Sequence, residues 1–157
     1  MSETCTRYFG KVIYYEEDVI HFKNGLYGFE NEKDFIIMNF DSENSAVLCL
    51  QSVATEDLAF VIMDPFAFFP DYAPSITEAE LSLLGAEEEQ DLACYVICVI
   101  RDDLEDSTAN LKCPVFVNPM THNAMQAILE DTSYAFKHSF KEFMRKEEAV
   151  ADANPST

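Results

Sequence analysis

The chain has 157 residues, 48% of them hydrophobic, which predicts one domain with a packed core and excludes a wholly disordered chain. Aspartate and glutamate outnumber lysine and arginine 29 to 10, for a formal net charge of -19. Because phosphate groups are bound through Lys and Arg, this charge disfavours direct binding to nucleic acid or to an anionic membrane. Two explanations stay open: the charge attracts a basic protein partner, or it keeps an aromatic-rich protein in solution.

The cysteines are five in number and stand mostly inside apolar runs: Cys5, Cys49, Cys94, Cys98 and Cys113. We see no signal peptide before them, and an odd number does not form a closed disulfide framework. We therefore expect reduced thiols in a cytoplasmic protein. The longest apolar stretches fall short of the ~20 residues that a membrane helix needs.

The first part of the chain is typical of strands. Aromatic, β-branched and other apolar residues dominate the predicted strands at 7–15, 19–22, 35–40, 47–53 and 58–63. Asn24-Gly25 is a turn signal of the hairpin kind. The last of these strands is apolar throughout, as expected where both faces are covered.

Residues 64–72 hold four aromatic residues and two prolines. The prolines argue against a helix here. Such a segment either fills the core or forms a rigid patch that another protein contacts. We expect at least two of its phenylalanines, Phe66, Phe68 and Phe69, to be buried. The residues at its ends are better candidates for exposure: Asp64, Asp71 and Tyr72.

The second half contains one helix with a clear start, since Thr77 and Glu80 are spaced as a capping box and Gly85 is placed to end it. Both faces of residues 92–100 are apolar, which predicts a central strand. Residues 115–118 and 125–129 suggest a last hairpin. Together these elements predict a mainly β, small antiparallel β-barrel-like single domain with one short internal helix.

The composition changes near the C-terminus. Phe140, Phe143 and Met144 have helical spacing, and the residues after Ala149 resemble a frayed end. We predict a barrel domain over residues 1–138 and a helical or partly disordered tail over residues 139–157. The terminal helix is either a second contact surface or a cover that folds back onto the barrel.

The residues that carry most enzyme chemistry are scattered. The three histidines are isolated, and Cys94 and Cys98 would lie about 13 Å apart on one strand face, which favours packing over zinc binding. Acidic clusters at 87–91 and 102–106 lack the glycine and the alternation of a calcium loop. We find no nucleotide-binding or hydrolase motif and predict no cofactor, no metal and no enzyme activity. A small enzyme with two carboxylates in a deep pocket is the rival.

Three blocks of the sequence, in this order, resemble the flagellar assembly factor FliW family. The first block comprises residues 8–10 and 20–30. The second comprises residues 50–53, 57–61, 64–66 and 69–72. The third comprises residues 108–111, 114–115 and 117–118, then Thr121, Gln126 and residues 129–131. The resemblance covers roughly residues 7–134. The chain departs from the family pattern at Lys23 and Tyr27, where proline is usual, and at Ala124, where glycine is usual.

The resemblance implies a non-catalytic, mostly β domain that binds cytoplasmic flagellin and the translational repressor CsrA. Flagellin that accumulates before export occupies the factor and leaves CsrA free to silence flagellin translation. Once flagellin is exported, the factor binds CsrA and relieves repression. The alternative is an acidic nucleic-acid mimic that occupies the RNA groove of a basic protein, whereas the family is described as binding CsrA away from its RNA site.

The candidate partner-binding residues fall in three groups. The aromatic segment contributes a surface that could shield the apolar terminal helix of flagellin: Asp64, Phe66, Phe69, Asp71 and Tyr72. The acidic loops would attract CsrA and raise its association rate more than its affinity: Glu87, Glu88, Glu89, Asp102 and Asp103. The third is Asn110, which could instead satisfy backbone groups at a strand start.

Overall fold

The computed structural model describes residues 1–41, 44–130 and 133–141. The strands are β1 (Ser2–Thr6), β2 (Gly10–Tyr14), β3 (Ile20–Phe22), β4 (Asp34–Asp41), β5 (Asn44–Ser52), β6 (Ala59–Met63), β7 (Ala93–Val99), β8 (Thr108–Ala109), β9 (Val115–Val117), β10 (Asn123–Gln126) and β11 (His138–Ser139). The helices are α1 (Pro65–Phe68) and α2 (Glu78–Leu83), and 3₁₀ turns lie at Glu16–Asp18, Glu89–Asp91 and Leu104–Asp106.

Seven of these strands close a barrel. They follow the order β7-β6-β5-β4-β3-β10-β9, and β9 returns to β7 through the pairs from Ala93↔Val117 to Tyr95↔Val115. β3 and β10 pair in parallel, whereas the other neighbours around the ring are antiparallel. The C-terminal end of β7 pairs with β8 instead, and β8 with β11. This closed barrel with two short helices confirms the predicted fold class, and the central place of β7 confirms the prediction for residues 92–100.

The barrel interior is filled by alternate residues of its strands, as the period of two requires. Its fully buried members include Phe22, Phe35, Leu50 and Ile62, and Tyr95 and Ile97 of β7 pack against them. The next residues along β7, Val96 and Cys98, belong to a second cluster on the outside of the barrel. β7 is therefore covered on both faces, which explains why its sequence is apolar throughout.

The outside of the barrel is covered in three places. The aromatic segment and Phe140, which follows β11, pack over β6 and β7, and Leu84 at the end of α2 packs against Phe116 of β9. The β1–β2 hairpin lies against β5, where the backbone N–H of Arg7 donates to Oε1 of the buried Gln51 at 3.0 Å. The predicted strand at 7–15 is therefore shorter, because residues 7–9 form the turn between β1 and β2.

The expectation that prolines prevent a helix in residues 64–72 is wrong for Pro65–Phe68. Pro65 occupies the first turn, where its missing N–H has no intrahelical partner to lose. The side chain of Asp64 caps the turn by accepting a hydrogen bond from the N–H of Phe66 at 3.0 Å. Phe69 is the C-cap and Pro70 follows it, so α1 ends after one turn.

Helix α2 confirms the prediction of a helix that begins after Thr77 and ends at Gly85. Thr77 and Glu80 form the predicted capping box in both directions, with backbone-to-side-chain distances of 2.9 and 3.1 Å. Gly85 follows the C-cap with a φ of 70°, the left-handed conformation that glycine adopts at low cost. The carbonyl of Leu84 accepts a 2.7 Å hydrogen bond from Nδ2 of Asn118, which ties the helix to the loop after β9.

The predicted last hairpin is present as β9 and β10, with His122 in its turn at a φ of 63°, but its second strand covers Asn123–Gln126 rather than residues 125–129. At the C-terminal end β11 lies at the predicted domain boundary, and Phe140 beyond it is buried. Most of the predicted terminal helix or tail lies outside the described residues, which end at 141. Within the described part of the chain no helix is long and apolar enough to cross a membrane.

Candidate partner-binding site

The aromatic segment divides into an inward and an outward side. Phe68 and Phe69 pack against Phe140, with ring centroids 5.5 and 6.1 Å apart. Tyr72 is buried beside Tyr134, and its hydroxyl donates to a backbone carbonyl of the covering layer. The side chain of Phe66 faces outward and is 45% exposed. The segment therefore packs in the cluster on the outside of the barrel and exposes the aromatic side chain of Phe66 to solvent.

Two expectations about this segment need correction. Tyr72 is only 5% exposed, so the prediction that it lies at the surface is wrong. Its polar tip can be buried because its hydroxyl has a carbonyl partner. Among the three phenylalanines only Phe69 is buried, whereas Phe68 is half-buried. Asp64 and Asp71 are exposed, as predicted.

Phe66 stands between two surface grooves. One, of about 580 Å³, opens at the mouth of the barrel and is lined by Ile37, Leu48, Asp64 and Tyr95. The other, of about 390 Å³, runs between Tyr72, Pro74, Glu89 and Phe116. Phe66, Leu92 and Cys94 line both grooves. We call these two grooves and Phe66 the Phe66 surface.

The Phe66 surface is acidic. Burial, together with the charges of Asp64 and Glu89, raises the pKa of the Cys94 thiol to about 12. Burial also raises the pKa of Tyr95, with a second contribution from Asp64. Of the described residues that line the two grooves, none is Lys, Arg or His. The surface therefore joins an exposed aromatic ring to an uncompensated negative field, which suits a cationic protein partner.

One of the two predicted acidic loops, residues 87–91, lies beside the aromatic segment. Glu89 lines a groove, and Glu87 and Glu88 are exposed in the same loop. Asp102 and Asp103 are exposed in the loop that follows β7, away from the lining of both grooves. Only the first acidic loop therefore belongs to the Phe66 surface.

Asn110 has a structural partner. Its Oδ1 accepts a 3.0 Å hydrogen bond from the backbone N–H of Cys113, which fixes the turn before β9. Leu92, Cys94 and Tyr95 belong to the Phe66 surface but were predicted only as strand residues. Their apolar sequence showed that β7 is buried, and it carried no signal that the N-terminal end of the strand reaches the mouth of the barrel.

The described residues offer little for metal or enzyme chemistry. They contain no group of three or more His, Cys, Asp or Glu that could hold a metal ion. Asp64 and Glu89, the acidic residues that line the Phe66 surface, are exposed and lie in different grooves. Two carboxylates that face separate grooves do not form the paired acid and base of a hydrolytic site.

The three departures from the family pattern lie together. Lys23, Tyr27 and Ala124 all line one groove of about 320 Å³, away from the Phe66 surface. Ala124 is buried within β10, and within the described part of the chain His122 is the one non-glycine residue with a positive φ. The backbone at Ala124 therefore does not require glycine.

Comparison with known proteins gives one family. A family model described as FliW protein matches residues 3–140. A flagellar assembly factor FliW from Bacillus licheniformis is 43% identical over 132 residues, 84% of this chain and 92% of that protein. Another, from Caldanaerobacter subterraneus subsp. tengcongensis, is 38% identical over 143 residues, 91% of this chain and 95% of that protein. A crystal structure of the flagellar assembly factor FliW superposes with a TM-score of 0.83 at 35% identity, covering 88% of this chain and 96% of that one.

Proposed function

Because the chain belongs to the FliW family of flagellar assembly factors, as its three sequence blocks predicted, we propose that it acts in flagellar assembly by binding other proteins. Its partners are flagellin and a CsrA-type translational regulator, both met in the cytoplasm. It catalyses no reaction. Flagellin and the regulator compete for this protein. While flagellin remains in the cytoplasm it occupies the protein, and the regulator stays active. After flagellin is exported, the protein binds the regulator and inhibits it.

One observation supports this function above the others: Phe66 is half-exposed between two grooves that contain Asp64 and Glu89. Large aromatic side chains flanked by pockets often dominate the binding energy of protein interfaces. The carboxylates would accelerate encounter with a basic regulator through long-range attraction. Asp64 also caps α1, so the position of Phe66 is set before a partner arrives and less entropy is lost on binding.

The Phe66 surface gives less support to the alternative hypothesis, an acidic nucleic-acid mimic. A mimic presents carboxylates spaced like phosphates, whereas apolar and aromatic side chains, including Phe66, Leu92 and Tyr95, lie between the carboxylates here. Direct competition with RNA for the regulator separates the two functions. A mimic displaces RNA stoichiometrically and loses this ability as salt rises.

Calorimetric titration tests the proposed function. Flagellin and the CsrA-type regulator are each titrated into the full chain, alone and with the other partner present. We expect binding of both at roughly micromolar affinity or better, each reduced by the other. Phe66→Ala is expected to weaken at least one of them by about tenfold or more.

The matched control is Tyr15→Ala, which removes an aromatic side chain that is 51% exposed on another part of the surface. It is expected to leave both affinities unchanged. Absence of binding to either partner would exclude the proposed function. Equal losses in the Phe66 and Tyr15 variants would exclude the Phe66 surface as the site.

A further inference from the structure

The last described residues run alongside the aromatic segment. The ring of Tyr134 packs edge-on against that of Tyr72, with centroids 4.9 Å apart. The hydroxyl of Tyr134 accepts a 2.9 Å hydrogen bond from the backbone N–H of Ala73. Tyr72 and Ala73 both line the groove of about 390 Å³ on the Phe66 surface. The C-terminal part of the chain is therefore attached to the segment that carries Phe66.

The described part of the chain ends beside α1. Phe140 is only 1% exposed, because it packs against the rings of Phe68 and Phe69. Lys141, which follows it, is the last described residue. Phe66 and Phe68 belong to the single turn of α1 and lie two residues apart. An extended chain spans about 3.3–3.6 Å per residue, so a few residues beyond Lys141 are enough to reach Phe66.

The residues that follow combine apolar side chains with positive charge. We call residues 142–157, which lie outside the described part of the chain, the terminal segment. Its sequence places Phe143 and Met144 directly before Arg145 and Lys146. In a chain with 29 acidic residues these are the only two adjacent basic residues of the sequence. The part matched by the family model ends before the terminal segment, so the segment is an addition to the FliW domain.

The terminal segment complements the Phe66 surface in both polarity and charge. The exposed ring of Phe66 and the grooves beside it offer apolar contact to a side chain such as that of Phe143. The carboxylates of Asp64 and Glu89 face no Lys, Arg or His among the described residues that line the grooves, so they attract a cationic segment. Attachment to the same chain gives this segment an effective concentration of about millimolar, so weak contacts are enough to hold it.

We propose that residues 143–146 cover the Phe66 surface of the same molecule when no partner is bound. The two apolar side chains lie against the ring of Phe66, and the two cations face Asp64 and Glu89. A partner that binds the Phe66 surface displaces these residues. The site is therefore regulated by its own chain.

The cover weakens every partner of the Phe66 surface by the same factor. A surface that is covered about nine-tenths of the time binds a partner about tenfold more weakly than an open surface. This consequence rests on the proposed function, because it requires a partner. The cover itself requires none and is tested on the free protein.

Tryptophan fluorescence of the full chain tests the cover. The sequence contains no tryptophan, so Phe143→Trp introduces a single reporter into the terminal segment. Indole emission moves to shorter wavelength when the ring leaves water. We expect emission at shorter wavelength, and several-fold weaker quenching by acrylamide, than in the matched control Ala153→Trp, whose reporter lies further along the same segment.

Substitutions in the Phe66 surface, combined with Phe143→Trp, identify what the reporter contacts. Phe66→Ala is expected to return the emission and the quenching to those of the control. Asp64→Asn with Glu89→Gln is expected to do so in part, and high salt to have a similar effect, because both weaken the attraction of the cations. Asparagine still caps α1, so the turn is retained. Tyr15→Ala removes an exposed ring elsewhere and is expected to change nothing.

Three outcomes would overturn the proposal. In the first, the Phe143→Trp reporter is as exposed as that of Ala153→Trp. In the second, the reporter is buried but indifferent to Phe66→Ala, which would place the terminal segment elsewhere. In the third, its burial is lost on dilution, which would show that a second copy supplies the cover. No partner is present in these measurements, so a failure of the proposed function leaves them unchanged.

Discussion

The hydroxyl of Tyr72 donates a 2.6 Å hydrogen bond to the backbone carbonyl of Leu111, and both residues are buried. The bond joins the aromatic segment after β6 to the turn before β9. Burial of the ring raises the pKa of Tyr72, so the hydroxyl keeps its proton and remains a donor. The ring centroid of Tyr72 also lies 5.9 Å from that of Phe66, so the bond holds a ring against which Phe66 packs.

Tyr72→Phe is expected to lower the free energy of unfolding by about 1–3 kcal/mol, because it leaves the buried carbonyl of Leu111 without its donor. Urea unfolding followed by circular dichroism measures the change. Tyr15→Phe is the control, since Tyr15 is exposed, and it is expected to leave the midpoint unchanged. Equal midpoints for the two variants would show that the hydrogen bond contributes nothing to stability.

Gly25→Ala is expected to destabilise the fold by several kcal/mol. Gly25 has a φ of 68°, and a Cβ added there would lie 2.6 Å from the backbone of Glu30. Gly10→Ala is the matched control, because Gly10 has a φ of 66° with open space around its Cα. It is expected to cost only the left-handed backbone, about 1–2 kcal/mol. Thermal unfolding of both variants measures the difference, and similar losses would contradict the close approach at Glu30.

Stability is expected to fall as pH rises above about 9. Burial raises the pKa of Cys49 to about 11 and those of Cys94 and Cys98 to about 12, from a usual value of 9.0. Between pH 9 and 11–12 the unfolded chain loses these protons while the folded chain keeps them. Each fully shifted thiol then favours unfolding by up to about 1.4 kcal/mol per pH unit.

Urea unfolding in reducing buffer from pH 7 to 10.5 measures this decline. Cys98→Ala is expected to make the decline less steep, because the buried thiol that holds its proton is removed. Buried tyrosines, among them Tyr72, act in the same direction at the upper end of the range. Stability that stays level or rises across this interval would contradict the burial of the thiols.

Asp64→Asn is expected to slow association with the CsrA-type regulator at low salt and to leave the rate at high salt almost unchanged, if the proposed function is correct. Asparagine also caps helices, so α1 and the position of Phe66 are retained while the charge is removed. Stopped-flow kinetics at several salt concentrations measures the effect. Asp18→Asn, which removes an exposed charge beside the β1–β2 hairpin, serves as the control. An equal effect of both variants would indicate that only the net charge matters.

Interactions between residues close in the chain were predictable from the sequence. The capping box of Thr77 and Glu80, the end of α2 at Gly85 and the two-sided burial of β7 each depend on a few neighbouring residues. The error at Pro65 had a local cause too, since the first turn of a helix accepts proline and Asp64 was there to cap it. The family followed from blocks spread along most of the chain.

The sequence by itself thus determined a mainly β, acidic domain of a known family and pointed to residues 64–72. Only the tertiary structure decided that Tyr72 is buried while Phe66 is exposed, and that Glu89 rather than Asp102 lies beside Phe66. The same holds for the groove of about 310 Å³ where Phe60, Ile97 and Phe136 meet. These arrangements depend on how the barrel closes, which is set by pairing between distant strands such as β7 and β9. Local patterns show which residues form strands, but they do not show which strands become neighbours or which side chains then share a groove.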